Sequence, residues 1–401
     1  MTTVTVFEQQ RVLLAPDGPL TLPQLTSLQR FHARDGGGRY FELCYRGIRL
    51  SSYVGILRVG ELTLEILPKT DNQHPVPFWR DRLFDLLGVL HEMPLFAPTA
   101  ADLRTRPRSV LEHYLYLFAT QIEDILRRGL VQRYRTQQTN ATALSGKLLF
   151  TEQLRYNAVH RERFFVERTT YDARFVHHQL LRQALELAVN LTEQTKLAGR
   201  LTVLFSRFPE LPPVTVRPAV FAQLTYDRKT RSYRPAMEIV RLLLLNYHPD
   251  VVGGRENVLA LLFDMNLLWE RFVGEALRRC VSAWRIRAQL THTYWRSSAG
   301  SAVLRPDFVL RRGEETMVVD AKWKVGGGSP SAQDLRQLYV YADQFGASRA
   351  VLVYPGVGAG SQVQGKFVNK PGVSGRLVYV PVVEGIGEWM GLVGEGVVGR
   401  G

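Results

Sequence analysis

Arg305–Lys324 reads RPDFVLRRGEETMVVDAKWK, and the order of residues in it decides the fold of the C-terminal part of the chain. Pro306 and Asp307 lead into one strand-like run. A short polar turn covers Arg312–Glu315, and an apolar run at Met317–Val319 ends in Asp320-Ala321-Lys322. Two such runs joined by a short turn predict a hairpin of adjacent strands. Side chains alternate faces along a strand, so Asp320 and Lys322 point the same way while Ala321 points into the fold. The hairpin brings Asp307 beside Asp320 at one end of the sheet, and two carboxylates and a lysine converge on one spot.

Working outward, Ala260–Val281 is predicted to be one long amphipathic helix, and Arg285–Tyr294, Arg305–Arg311 and Glu315–Trp323 to be strands. Gly326–Ser331 has loop composition, Gln333–Phe345 reads as a helix, and Ala350–Tyr354 and Arg376–Val382 as further strands. The resulting α-β-β-β-α-β order predicts a central mixed sheet flanked by helices. A PD dipeptide and a DxK tripeptide are each common alone. Their succession here (PD, strand, turn, apolar run, DAK, flexible loop, Gln-bearing helix) is the pattern of a PD-(D/E)xK, restriction-endonuclease-like α/β domain.

That residue set suits phosphodiester hydrolysis. A bound Mg²⁺ polarises the phosphate and lowers the pKa of an attacking water. Carboxylate oxygens are natural ligands for this hard ion, with Mn²⁺ as a substitute. Asp307 and Asp320 are the expected metal ligands, with the Ala321 carbonyl as a third. Lys322 is expected to orient or activate the water and offset charge in the transition state. Glu270, in LLWERFV, is a candidate extra ligand against the alternative of a solvated helix glutamate. Gln337, in QDLRQLYVY, is a candidate to orient Lys322 or touch the phosphate; Tyr341 shares its helix face. Trp323 and Lys324 either contact DNA or simply pack and solvate.

Other chemistries find less support. GSQVQGKF at Gly360–Phe367 mimics a phosphate loop but carries Phe367 where Ser or Thr would hold Mg²⁺, so no nucleotide is expected on this chain. His177 and His178 are adjacent on a helix, make a poor metal pair, and read as core or surface residues. Cys44 and Cys280 are the only cysteines, too few for a zinc site or a disulfide framework. The N-terminus lacks signal-peptide character and the longest apolar runs fall short of a membrane span, so a cytoplasmic protein without membrane contact is expected.

The 401 residues predict two or three domains. The first hundred alternate like strands at YFELCY (Tyr40–Tyr45), SYVGILR (Ser52–Arg58) and LTLEIL (Leu62–Leu67), predicting a mainly β module over residues 1–77. Residues 78–250 read as mainly helical, with helices at Trp79–Leu90, Leu111–Leu126, Arg174–Leu191 and Met237–Leu245. Thr136–Thr142 reads as a polar loop and Phe208–Pro218 as a connector. HPDVVGGR at His248–Arg255 reads as a linker, leaving 251–401 as a nuclease domain that folds by itself. A net charge of +14 favours a polyanionic partner, although a basic soluble protein of another kind would carry it too.

At these residues the chain resembles the McrC family, the nuclease subunits of McrBC modification-dependent (5-methylcytosine) restriction systems. Besides the PD…DAK site, GILRVGELTLEILPK (Gly55–Lys69), SGKLLF (Ser145–Phe150) and FDMNLLWERF (Phe263–Phe272) resemble family segments in the same order, so the likeness runs from about residue 50 to about 355. The resemblance implies an AAA+ GTPase ring (McrB-like) as partner, which recognises modified double-stranded DNA, and an N-terminal half that inserts into the ring and stimulates GTP hydrolysis. Double-strand cutting implies pairing of two nuclease copies. A stand-alone repair or recombination nuclease and a non-catalytic regulator of an AAA+ ring remain as alternatives.

Overall fold

The alternating runs near the N-terminus form strands in the computed structural model, which describes residues 2–34, 36–68, 74–89, 109–248, 257–298, 300–324, 331–356 and 362–399. Contacts divide the chain into two units, Met1–Val110 with His248–Gly401, and Leu111–Tyr247. A boundary near 250 thus separates the middle of the chain from its C-terminal part, while the N-terminal module and the C-terminal residues share one unit.

The first unit starts with β1 (Thr2–Phe7), β2 (Arg11–Leu13), α1 (Leu22–Arg34), β3 (Phe41–Cys44), β4 (Gly47–Leu50), β5 (Tyr53–Val59), β6 (Leu62–Leu67) and α2 (Val76–Val89). The three alternating runs become β3, β5 and β6. Helix α1 was not anticipated by the period-two reading. Strands β2, β4 and β3 form a small antiparallel sheet.

The second unit holds α3 (Val110–Arg128), β7 (Arg133–Ala141), β8 (Lys147–Leu148), α4 (Phe150–Asn157), β9 (Phe164–Asp172), α5 (Val176–Leu191), α6 (Thr195–Arg207), α7 (Pro218–Ala222) and α8 (Arg234–Leu245). Thr136–Thr142 lies largely in β7, paired with β9 from Arg133↔Asp172 to Ala141↔Phe164, so the polar loop is a strand. Its residues RYRTQQTNA have no apolar face, and cross-strand hydrogen bonds supply what the hydrophobic pattern lacks. His177 and His178 are both buried. His178 Nδ1 lies 2.7 Å from the Ala173 carbonyl and Nε2 2.9 Å from the Tyr233 hydroxyl. Burial pushes its pKa down to about 4, as expected for a neutral core histidine.

The chain continues with β10 (Tyr247–His248), β11 (Val258–Asp264), α9 (Met265–Cys280), β12 (Arg285–Ala288), β13 (His292–Ser297), β14 (Gly300–Leu304), β15 (Phe308–Arg312), β16 (Glu315–Ala321), α10 (Ala332–Gln344), β17 (Arg349–Gly356), β18 (Gln362–Lys366), β19 (Ser374–Pro381) and α11 (Ile386–Val398). The single helix expected over Ala260–Val281 is therefore a strand followed by a helix. An unbroken apolar run such as VLALLF fits a buried strand as well as a helix. Asp264 ends the ambiguity by accepting a 2.9 Å hydrogen bond from the Asn266 N–H and capping α9. Strand β11 pairs with β5 in the sheet β1-β6-β5-β11-β10. The two strands approach at Gly55 (φ 124°), where a Cβ would lie 2.2 Å from the Leu261 carbonyl. The expected single strand Arg285–Tyr294 is likewise split, into β12 and β13.

The six-stranded sheet runs β12-β15-β16-β17-β19-β18, parallel at β16–β17–β19 and antiparallel elsewhere. On one face, Leu338, Tyr341 and Ala342 of α10 pack on Val309, Val318 and Leu352. Helices α9 and α11 take the other, with Phe272 and Trp389 rings 4.4 Å apart. The Gly-rich stretch Ile386–Val398 forms α11. Among the described residues no helix is long and apolar enough to cross a membrane.

Candidate active site

The β15–β16 hairpin forms in the expected register, Phe308↔Val319 through Arg312↔Glu315. Asp307 precedes β15, and its Oδ2 accepts a 2.8 Å hydrogen bond from the Ala321 N–H at the end of β16. Asp320 is buried, and its Oδ2 lies 2.7 Å from Lys322 Nζ. Lys322 itself is tied down by its N–H, which donates to the Val353 carbonyl of β17 at 2.9 Å. Asp307, Asp320 and Lys322 are thus brought together at the carboxyl ends of parallel strands β16 and β17, where open α/β sheets place their ligand sites.

Electrostatics in this corner are strongly perturbed. Burial, and then the charge of Asp320, push Asp307 up to about 7 against the pull of the Ala321 amide. Asp320 is also raised, by burial, with Lys322 and a hydrogen bond from Asp307 opposing. For Lys322, burial works against the charge, but Asp320 and Asp307 outweigh it and the pKa rises, so the lysine stays protonated. Two carboxyls raised by burial beside a cation are a common signature of a reactive site.

Glu270 and Gln337 sit differently. Helix α9 lies close on β15, since a Cβ at Gly274 would fall 2.7 Å from the Phe308 ring. Glu270, one turn earlier, accepts a hydrogen bond at Oε1 from Gln289 Nε2. That same Nε2 is 3.5 Å from Asp307 Oδ1, so Glu270 meets Asp307 through an amide. Gln337 donates to the Tyr341 hydroxyl at 2.7 Å, and Tyr341 donates to the Arg305 carbonyl at 3.3 Å. The charges of Asp320, Lys322 and Asp307 all act on Tyr341. The Gln337 amide is therefore engaged one residue back from the charged cluster.

Trp323 is buried, and its indole N–H donates to Glu8 Oε1 at 2.7 Å, so it packs. Lys324 pairs with the buried Asp334 at 2.7 Å.

Gln289 was missed from sequence. It holds φ 54° and its N–H donates to the Asp307 carbonyl at 2.9 Å. A non-glycine residue in that region costs about 1–3 kcal/mol and tends to mark a functional position. Nothing local flags it; only the β12–β15 register sets it opposite Asp307.

The donor set suits a cation that keeps its water. Among the described residues no group of three or more His, Cys, Asp or Glu side chains forms a metal-binding cluster. Asp320 Oδ2 is buried with Lys322 Nζ at 2.7 Å, and the adjacent Asp307 carboxyl is raised by burial and then by the charge of Asp320. Mg²⁺ characteristically takes one or two carboxylates and retains several waters.

A mixed α+β chain with this charged cluster at its strand ends has known relatives. Residues 48–355 match the family described as McrBC 5-methylcytosine restriction system component, and the chain belongs to that family. Among solved structures it is similar to a chain of the refined half-complex from the tetradecameric assembly of Thermococcus gammatolerans McrB AAA+ hexamers with bound McrC. That likeness has a TM-score of 0.75 and 21% identity, covering 98% of this chain and 99% of the other. A chain of the Thermococcus gammatolerans McrBC complex, solved by cryo-electron microscopy, aligns at TM-score 0.50 and 21% identity over 71% of this chain and 89% of that one. At such identity the likeness concerns the fold. No curated protein matches the chain.

Proposed function

We propose that this chain is the DNA endonuclease subunit of a two-component, modification-dependent restriction system, with a PD-(D/E)xK domain within residues 251–401. The observation that carries the reading is the convergence of Asp307, Asp320 and Lys322 at the ends of β15 and β16. Asp307, Asp320 and the Ala321 carbonyl would hold Mg²⁺ or Mn²⁺, which would supply polarisation of the phosphate and a more acidic attacking water. Lys322 stays protonated, holds that water by hydrogen bonding and stabilises charge on the phosphate oxygens. Glu270 acts through Gln289, which fixes the Asp307 carboxyl; Gln337 fixes Tyr341 beside the same cluster.

The partner is an AAA+ GTPase ring, McrB-like, that selects modified double-stranded DNA. Family membership supports this, as does the absence of a phosphate-binding loop in this sequence. The residues that bind the ring fall in 78–250. Within that span, β7–β9 and α4 expose Tyr134, Phe150, Leu154, Tyr156 and Tyr171, an apolar surface of the kind a protein partner covers. Two copies pair to cut both strands.

The test is cleavage of methylated and unmethylated plasmid in Mg²⁺, with this chain alone and with a McrB-like protein plus GTP. Cleavage of methylated plasmid only in the complete mixture is the expected result. Cleavage by the chain alone makes it a stand-alone nuclease, and none in any mixture leaves a non-catalytic regulator.

A further inference from the structure

The β13–β14 hairpin lies outside the six-stranded sheet and pairs only with itself. Every residue of β13 is exposed, with Tyr294 at 52% and Trp295 at 61%, and Val303 of β14 is at 53%. An isolated two-stranded hairpin is marginal in water, and large aromatics at its surface mark an interaction site. Its base is held. Leu290 and Leu304 pack against the core between the sheet and α10, and the His292 ring meets Phe345 edge-on at 5.7 Å. The two ends of the hairpin lead directly to Gln289 and Asp307, so the element is rooted at the charged cluster. A register shift between Thr293 and Trp295 leaves Tyr294 without a cross-strand partner. Bulges of this kind re-aim a side chain beside active sites.

Charge decides what the hairpin meets. From Ala276 to Pro306 the chain has no Asp or Glu. Arg285, Arg287, Arg296 and Arg305 are all exposed, and none forms an ion pair among the described residues. Neighbouring arginines are neutralised: Arg278 and Arg279 by Glu275, and Arg312 and Arg349 by Glu315. Four solvated guanidiniums without counter-charge, around a ribbon tipped with Tyr294 and Trp295, fit a polyanion. The major groove of duplex DNA admits a two-stranded β-ribbon.

We propose that the β13–β14 hairpin, with Arg287 of the preceding edge strand β12, grips double-stranded DNA beside the scissile phosphate, Arg287 and Arg296 meeting the phosphate backbone and Tyr294 and Trp295 the groove. This rests on the nuclease reading above. The test compares the full chain with Arg287→Ala/Arg296→Ala and Tyr294→Ala/Trp295→Ala, by fluorescence anisotropy on a labelled duplex in Ca²⁺ across a salt series. Circular dichroism melting confirms that the variants fold, which their exposure favours. The arginine variant is expected to bind about tenfold more weakly and to lose about 2 from the slope of log K against log salt, one per phosphate contact. The aromatic variant is expected to weaken binding at every salt with the slope unchanged. In the complete mixture, both raise the DNA concentration for half-maximal cleavage.

Equal affinity and slope in wild type and variants overturns the hairpin assignment while leaving the nuclease reading intact. Cleavage lost in all proteins, wild type included, defeats the nuclease reading itself and the proposal with it. A variant that keeps duplex affinity but loses partner stimulation, or changes its sedimentation as a dimer, makes the hairpin a protein interface and overturns the proposal.

Discussion

Two antiparallel hairpins, separated by only Arg305, Pro306 and Asp307, are built to opposite specifications. In β15–β16, the residues Phe308, Val309, Leu310 and Met317–Ala321 are buried between α10 on one side and α9 with α11 on the other. Its charged groups are confined to the strand ends, where Asp307 and Asp320 are desolvated enough to be raised. In β13–β14, β13 is solvated along its whole length and the charge is entirely positive. Chemistry on a phosphate needs a fixed, partly dry set of ligands, because field strength grows as water is excluded. Gripping a polyanion needs the reverse: guanidiniums free to exchange counterions for phosphates. One hairpin holds its geometry by burial, and the next remains available by lacking it.

The sharpest way to break that contrast is to remove a carboxylate from the buried hairpin. Asp320→Ala and Asp307→Ala are each expected to lower the cleavage rate about 10³-fold, several kcal/mol of transition-state stabilisation, while leaving GTPase stimulation of the partner unchanged. Persistent cleavage by both variants ends the assignment. The hairpin variants above, by comparison, change affinity about tenfold and spare the rate at saturating DNA.

Truncation tests how far the buried hairpin depends on distant chain. Residues 251–401 expressed alone leave β11 without β5 and remove Glu8 from Trp323. The fragment is expected to aggregate or lose cooperative melting, against the sequence expectation that it folds by itself. A sharp melt from the fragment would mean that the six-stranded sheet carries its own stability.

A finer probe is Gln289→Gly, which relaxes the positive φ and removes the amide, compared with Gln289→Glu. The glycine variant is expected to need about tenfold more Mg²⁺ for half-maximal cleavage, as for other groups that orient a ligand. Superimposable Mg²⁺ curves would reduce Gln289 to a piece of the turn.

The smallest effect is on metal-free stability. Asp307 is raised from an unfolded value of 3.8 to about 7, so its contribution is fully present below 3.8 and is lost as pH rises through about 7. Melting temperature without metal is expected to fall over that window. Asp307→Asn should flatten the fall and melt above wild type at pH 8, with Mg²⁺ restoring the wild type only. A flat wild-type profile would mean that the Asp307 carboxyl is already ionised.

The candidate site was legible because its parts are local. PD, turn, apolar run and DAK lie within Arg305–Lys324, and strand periodicity alone places Asp320 and Lys322 on one face. The family likeness rested on segments in linear order and agrees with the match over residues 48–355. Less readable were residues whose partners are remote. The run Val258–Phe263 has no internal preference between helix and strand, and its place beside β5 is settled some two hundred residues earlier in the chain. The residues of β7 lack an apolar face, and its pairing with β9 is all that makes it a strand.

By itself, then, the sequence determined the charged trio, the hairpin that carries it and the basic balance of the chain, because these follow from near-neighbour periodicity and composition. Tertiary structure alone decided that the first 110 residues and the last 150 or so share a unit, that Glu270 meets Asp307 through Gln289, and that Trp323 packs on Glu8. Each of those depends on which residue, distant in sequence, completes the contact, and a local pattern has no means of naming that partner.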